Sequence, residues 1–242
     1  PYHLIRGSNH LFLSGYYAIP LVLITLYFLT QKTNISYKEI IIVAIISAST
    51  GAYYGIFSLF TCLLCVLICF VNGGIKKNIY LKKSVIFGAV SAITFILNLL
   101  PSLLYIMKHG ENTSVASRTP GETEIYGLQI TDMFFPRTGH RIGTFARLAG
   151  KIHDTPVPSE LGQALGIIAS LSIILVGMLA FRSFFSDKKF PNELKFFSFT
   201  ILAFTLIAVT SGFGLIISAV GLKDIRSWNR VSILIACCAL FI

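Results

Sequence analysis

Residues 105–160 read YIMKHGENTSVASRTPGETEIYGLQITDMFFPRTGHRIGTFARLAGKIHDTPVPSE, and the rest of the chain is arranged around them. The stretch holds no apolar run of membrane length, whereas almost everywhere else long apolar runs alternate with short polar connectors. Three of the five histidines (His109, His140, His153) and six of the ten acidic residues lie inside it. A polar segment of this length between apolar runs is uncommon as a mere connector and is usually functional.

The bulk composition agrees with that contrast. Of 242 residues, 55% are hydrophobic and only 12% charged, with a mean hydropathy of +0.77. Soluble domains carry roughly 25% charged residues, so the chain reads as a polytopic membrane protein. Its net charge of +10 does not point to nucleic acid. Bases flanking membrane spans set orientation and meet anionic lipid. The chain starts at Pro1, and its last apolar run, 231–242, is too short to span; both ends read as those of an internal fragment. Cys62, Cys65 and Cys69 have helical spacing, but every residue between them is apolar, which fits buried packing better than a metal or redox site.

Outward from the polar stretch, the expected spans are 11–30, a pair within 40–71, then 84–105, 161–181, 196–220 and the truncated 231–242. The run 40–71 is too long for one ordinary span; it fits two short helices turning at Gly51–Gly55, with one long tilted helix as the rival. Ser211-Gly212-Phe213-Gly214 marks close packing or a break into a half-helix. The fold class is therefore all-α: a polytopic transmembrane helix bundle with a long extracytoplasmic loop carrying short interfacial helices. Its parts are membrane helices over 1–105, including a short hairpin, the loop over 106–160, and membrane helices over 161–242.

Placing connectors 31–38, 72–83 and 182–195 in the cytoplasm makes the alternation consistent, and these are the short loops that weigh most in the positive-inside rule. The inner side then carries nine Lys and one Arg, and the outer side seven Arg and three Lys. All five histidines and the one tryptophan, Trp228, also fall outside. Arginine offers a planar fork for phosphate or carboxylate, whereas lysine serves as a point charge. An outer face rich in Arg and His suits an anionic substrate such as a phosphate or pyrophosphate lipid; the plainer reading is pairing with loop acids and head groups.

Within the loop, 109–122 has turn chemistry, and 122–135 carries a rough helical stripe. From Arg141 to His153, Ile142, Phe145, Leu148 and Ile152 share one helical face, with Arg147 and Lys151 off it. Short basic amphipathic helices of this kind lie in the bilayer interface. Between these pieces, FPRTGHR (135–141) reads as a turn presenting Arg137, His140 and Arg141, with Gly139 permitting the bend. Glu122 and Glu124 share a side only on a strand, so they are not read as a dyad. No zinc-protease spacing, phosphate-binding glycine loop or nucleophile elbow occurs.

The runs PYHLIRGSNHLFLSGYYAIPL (1–21), GAYYGIF (51–57), EIYGLQI (124–130), FPRTGHR (135–141) and IRSWNR (225–230) resemble a group of bacterial polytopic proteins within the GT-C class of membrane glycosyltransferases. The resemblance covers most of the chain and is more specific for the group than for a substrate. It implies transfer of a sugar from a polyprenyl-phosphate donor to a cell-envelope glycan or polymer acceptor, outside the bacterial inner (cytoplasmic) membrane. It also implies a catalytic carboxylate upstream of Pro1, so that the catalytic residue is not assigned here and the fragment alone is inactive. On that reading Arg6, Arg141, Arg226 and Arg230 grip the leaving phosphate, Tyr53, Tyr54 and Tyr126 line the sugar, and His10, His140, Glu122 and Glu124 meet acceptor hydroxyls. The expected partners are the lipid bilayer, the donor and the acceptor, with no nucleic acid. No cofactor is evident and no metal ligands are assigned, with room left for a divalent metal in the full-length enzyme. The alternative is a carrier or flippase for lipid-linked sugars, which breaks no bond. A purely structural subunit would leave the Arg and His segregation unexplained.

Overall fold

The computed structural model describes residues 11–73, 78–110, 118–136, 138–154, 163–186 and 189–242. Arg6, His10 and Arg137 lie outside the described residues. Those described form helices and turns, with no strand ladder beyond a single isolated bridge. The chain divides into two compact units, Leu11–Ser117 and Arg118–Ile242 apart from its first ten residues.

In the first unit, the apolar run 11–30 is not one helix. Leu11–Ser14 forms a single 3₁₀ turn, and helix α1 covers Ala18–Thr30. Pro20 explains the late start: it falls in the first turn, where no N–H has an intrahelical acceptor, so its missing donor costs nothing. At the other end Lys32 takes a left-handed conformation (φ 58°), and the N–H of Thr33 reaches back to the Phe28 carbonyl at 2.9 Å. That closure satisfies carbonyls the helix end would leave open. Helix α2 (Tyr37–Ser49) is opened by a capping box, in which Ser36 Oγ accepts from the Glu39 amide at 3.3 Å and the Glu39 carboxylate accepts from the Ser36 amide at 2.8 Å.

The run 40–71 proves to be two helices. α2 ends at Ser49, Gly51 turns the chain at φ 134°, and α3 runs over Ala52–Gly73. α4 covers Ile79–His109, 31 residues, capped by Asn78, whose Oδ1 accepts from the Tyr80 and Leu81 amides at 3.2 and 3.1 Å. At 1.5 Å per residue this is about 46 Å, well beyond a hydrocarbon core of ~30 Å. The helix therefore continues past Tyr105 through the first residues of the polar stretch.

Helices α1 to α4 pack mutually. Cys62, Cys65 and Cys69 are buried where α3 meets α1 and α4: Cys62 Sγ lies 3.2 Å from the Ser84 carbonyl, Cys65 Sγ 3.3 Å from Ser84 Oγ, and Cys69 Sγ 3.8 Å from the Leu29 carbonyl. These thiols act as small, soft packing groups beside polar backbone. Asn98 Nδ2 donates to the Ala48 carbonyl at 3.2 Å, tying the middle of α4 to the end of α2.

The second unit begins with two short helices, α5 (Glu122–Ile125) and α6 (Ile130–Phe134), separated by Tyr126-Gly127-Leu128 rather than joined in one amphipathic piece. Helix α7 (Gly143–His153) follows, close to the expected 141–153. Helix α8 covers Ile167–Phe185, starting later than 161 because Gly166 turns at φ 85° immediately before it. Helix α9 (Asn192–Ala208) ends in a break at 209–212, and the chain resumes as α10 (Phe213–Ile217) and a wider π-type turn, Ser218–Leu222. A 3₁₀ turn, Trp228–Val231, leads into α11 (Ser232–Leu240). α11 packs on α8 and α9, with Phe196, Phe204, Trp228, Leu234 and Ile235 at the core.

Among the described residues, three helices, within α3, α4 and α8, are long and apolar enough to cross a bilayer, and the chain is accordingly a membrane protein with lipid as its surroundings. Helices α1, α2, α9 and α11 are shorter, at 13, 13, 17 and 9 residues.

Candidate functional site

The break in α9 is where the polar loop meets the apolar helices. Ending a helix at Ala208 frees backbone carbonyls and amides that cannot stay unpaired away from water. The loop supplies the partners. The Leu128 amide donates to the Ala208 carbonyl at 2.7 Å, and the Leu128 carbonyl accepts from the Thr210 amide at 3.1 Å, one residue of parallel pairing. Leu128 itself is fully buried. Gly127 allows the approach, since a Cβ there would sit 2.9 Å from both the Thr123 carbonyl and Thr210 Oγ1.

Side chains complete the junction. Glu124 binds Ser211 twice, Oε1 accepting from its amide at 3.1 Å and Oε2 from its hydroxyl at 2.7 Å. Ser211 is held at φ 59°, a left-handed conformation costly for a residue with a Cβ, and both bonds help to fix it. Glu122 is ion-paired and hydrogen-bonded to Arg226 Nη1, and Arg118 Nη1 stands 3.9 Å from the same carboxylate oxygen. The Arg226 guanidinium lies 4.7 Å from the centre of the Tyr126 ring, a cation–π arrangement. The Asn229 amide donates to the Tyr126 carbonyl at 3.1 Å, joining the loop to the turn that opens α11. The hydrogen bond from Arg226, with the charges of Arg226 and Arg118, holds the Glu122 carboxyl below the usual glutamate range despite partial desolvation.

Of the residues singled out in the sequence, the structure brings Glu122, Tyr126 and Arg226 into direct contact and puts Glu124 in the same junction. Arg230 is buried in the adjoining 3₁₀ turn. His140 and Arg141 lie elsewhere, in the exposed turn before α7. There His140 Nδ1 accepts from the Ile142 amide at 3.2 Å and its ring meets Phe145 edge-on at 5.3 Å. Tyr53 and Tyr54 belong to the first unit. Tyr54 is buried, its hydroxyl donating to the Leu13 carbonyl at 2.6 Å, so here it holds the 3₁₀ turn to α3 rather than facing a ligand. Tyr53 is half-buried with its ring against Phe57. Arg118, Ser211 and Asn229 were not singled out from the sequence. The signal for Ser211 was present in the Ser-Gly-Phe-Gly break; nothing local marks Arg118.

Among the described residues, no group of three or more His, Cys, Asp and Glu side chains is placed to hold a metal ion. What the junction offers is a guanidinium braced on an aromatic ring, with a second guanidinium near, beside a break in an apolar helix. Comparison with protein-family models, with curated proteins and with solved structures finds no match.

Proposed function

We propose that this chain belongs to a bacterial membrane glycosyltransferase that moves a sugar from a polyprenyl-phosphate donor to a cell-envelope acceptor outside the cytoplasmic membrane. The sequence resemblance suggests the reaction class, and one observation supports it: Arg226 lies over Tyr126 with Arg118 close by, next to the α9 break. A guanidinium fork suits a phosphate, and an aromatic face suits the apolar face of a sugar ring. The Glu122 carboxylate lies against the Arg226 fork, where a phosphate oxygen would bind in its place. Charge developing on a leaving phosphate is what such a preset cation stabilises.

The test is donor use by the full-length protein in membranes with a radiolabelled polyprenyl-phosphate sugar. Arg226→Lys keeps the charge but loses the fork, and should reduce transfer about ten- to a hundred-fold, the effect of ~1.5–3 kcal/mol for a contact to a charged group. Lys189→Ala, far along the chain in the 186–191 connector, should transfer like wild type. Abundance should be unchanged in both. Wild-type transfer by Arg226→Lys and Arg226→Ala would remove Arg226 from the phosphate site.

The α9 break also favours a second reading, a carrier for lipid-linked sugars, because unwound helices commonly line transport sites. Movement of labelled donor across reconstituted vesicles with no sugar released would decide for it.

A further inference from the structure

Helix α7 leaves three apolar side chains of its face exposed. Ile142 is 54% exposed, Phe145 39% and Leu148 40%, while Ala149 between them is fully buried. Among the described residues, α7 makes no extensive contact with another helix. Arg147 and Lys151 project from the opposite side and are exposed, and no acidic residue occurs from Arg141 to His153. Among the described residues, the helix thus exposes Ile142, Phe145 and Leu148 along one side, where only Ala149 is fully covered, and Arg147 and Lys151 along the other, with Asp154 at its C-terminal end.

Its tether limits where it can go. The Met133 carbonyl on α6 accepts from the Leu165 amide at 3.1 Å and from Ser170 Oγ at 3.3 Å, which pins α6 to the first turn of α8, a helix long enough to cross the membrane. From Phe134 to Gly143 the chain is nine residue steps, at most about 32 Å when fully extended. Helix α7 is therefore held within that distance of the start of α8.

We propose that α7 docks on the anionic lipid surface of the bilayer that the chain itself spans, with Ile142, Phe145 and Leu148 in the acyl boundary and Arg147 and Lys151 among the head groups. A second copy of the chain is a poorer occupant, since two such faces would bring Arg147 and Lys151 of each against the other, with Asp154 at each helix end the one acid of the helix to pair them. The lipid surface supplies both apolar volume and negative charge. This inference is independent of any sugar transfer.

Spin labels decide it. The 242-residue chain, with Cys237 replaced by serine, would be reconstituted in nanodiscs of phosphatidylcholine with and without phosphatidylglycerol. Labels at Phe145→Cys and Leu148→Cys should be reached by oxygen in preference to a water-soluble nickel chelate, and labels at Arg147→Cys and Lys151→Cys the reverse. Equal access of the chelate to all four positions overturns docking. Exclusion of both reagents at 145 and 148 overturns the lipid assignment in favour of a protein occupant. Hydrogen exchange over 143–153 should slow roughly ten- to thirty-fold on adding phosphatidylglycerol, the effect of two bases near an anionic surface, and not in Arg147→Gln/Lys151→Gln. Identical exchange in the two lipids for the native chain overturns the electrostatic part.

Discussion

Charged residues here are used as fasteners as much as for solubility. Lys83 reads in the sequence as one of a cluster of topology-setting bases, yet it is buried. Its Nζ donates to Asn34 Oδ1 at 3.1 Å and to the Ile35 carbonyl at 2.5 Å, and it lies 5.3 Å from the Tyr37 ring centre. It holds the connector between α1 and α2 to the start of α4. Glu122 plays a comparable part in the second unit, and its depressed pKa makes that role pH-dependent. A carboxylate whose folded pKa is lowered adds stability above its unfolded pKa of ~4.3 and loses it as pH falls through the folded value. Trp228, the sole tryptophan, is buried one residue before Asn229, which joins the junction. Its fluorescence should hold steady from neutral pH to about 5 and change only below ~4.3. Glu122→Gln should shift the signal already at neutral pH; an unchanged acid midpoint in that variant would show that the Arg226 pair does not hold the junction.

Among the elements, the α9–α10 break carries the tightest packing. A Cβ on Gly214 would stand 2.7 Å from the Ile207 carbonyl and 2.8 Å from Trp228 Nε1. Gly214→Ala should therefore destabilise by about 1–3 kcal/mol, read as a lowered Tm in detergent. Gly177 in α8 has open space around its Cβ position and ordinary helical backbone. Gly177→Ala is the matched control and should be neutral or stabilising by roughly 0.5–1 kcal/mol, since alanine restricts the unfolded chain. A Tm loss of equal size in both would point to general intolerance of α8–α10 rather than to the close approach at Trp228.

For the molecule as a whole, the positive-inside reading of the bases expects 106–160 on the outer side and 182–195 on the inner. Single cysteines at Lys151 and Lys189 test this, since both residues are exposed. With Cys237 replaced by serine, an impermeant thiol reagent on intact cells should label Lys151→Cys and spare Lys189→Cys until the membrane is opened. The opposite pattern would put the Glu122–Arg226 junction on the cytoplasmic side and end the proposal of transfer outside the cell.

Much of the fold was legible because its causes are local. Apolar runs announced the helices, Gly51 the turn between α2 and α3, Ser211–Gly214 the broken helix, and the spacing of Ile142, Phe145 and Leu148 the amphipathic α7. The start of α2, where Ser36 and Glu39 cap each other, was not among the sequence expectations, although its cause is equally local. Of the candidate site, Glu122, Glu124, Tyr126 and Arg226 were named from the sequence, but not as neighbours. Which acid meets which base was not legible, because Glu122 and Arg226 are 104 residues apart and Glu124 and Ser211 are 87 apart. Charge pairing is non-directional at that range, and any loop carboxylate satisfies any guanidinium equally well on paper. Tertiary structure chose, through backbone groups freed at Ala208 and Thr210 that had to be answered by Leu128. Once Leu128 was fixed there, the residues just before it had few other partners within reach.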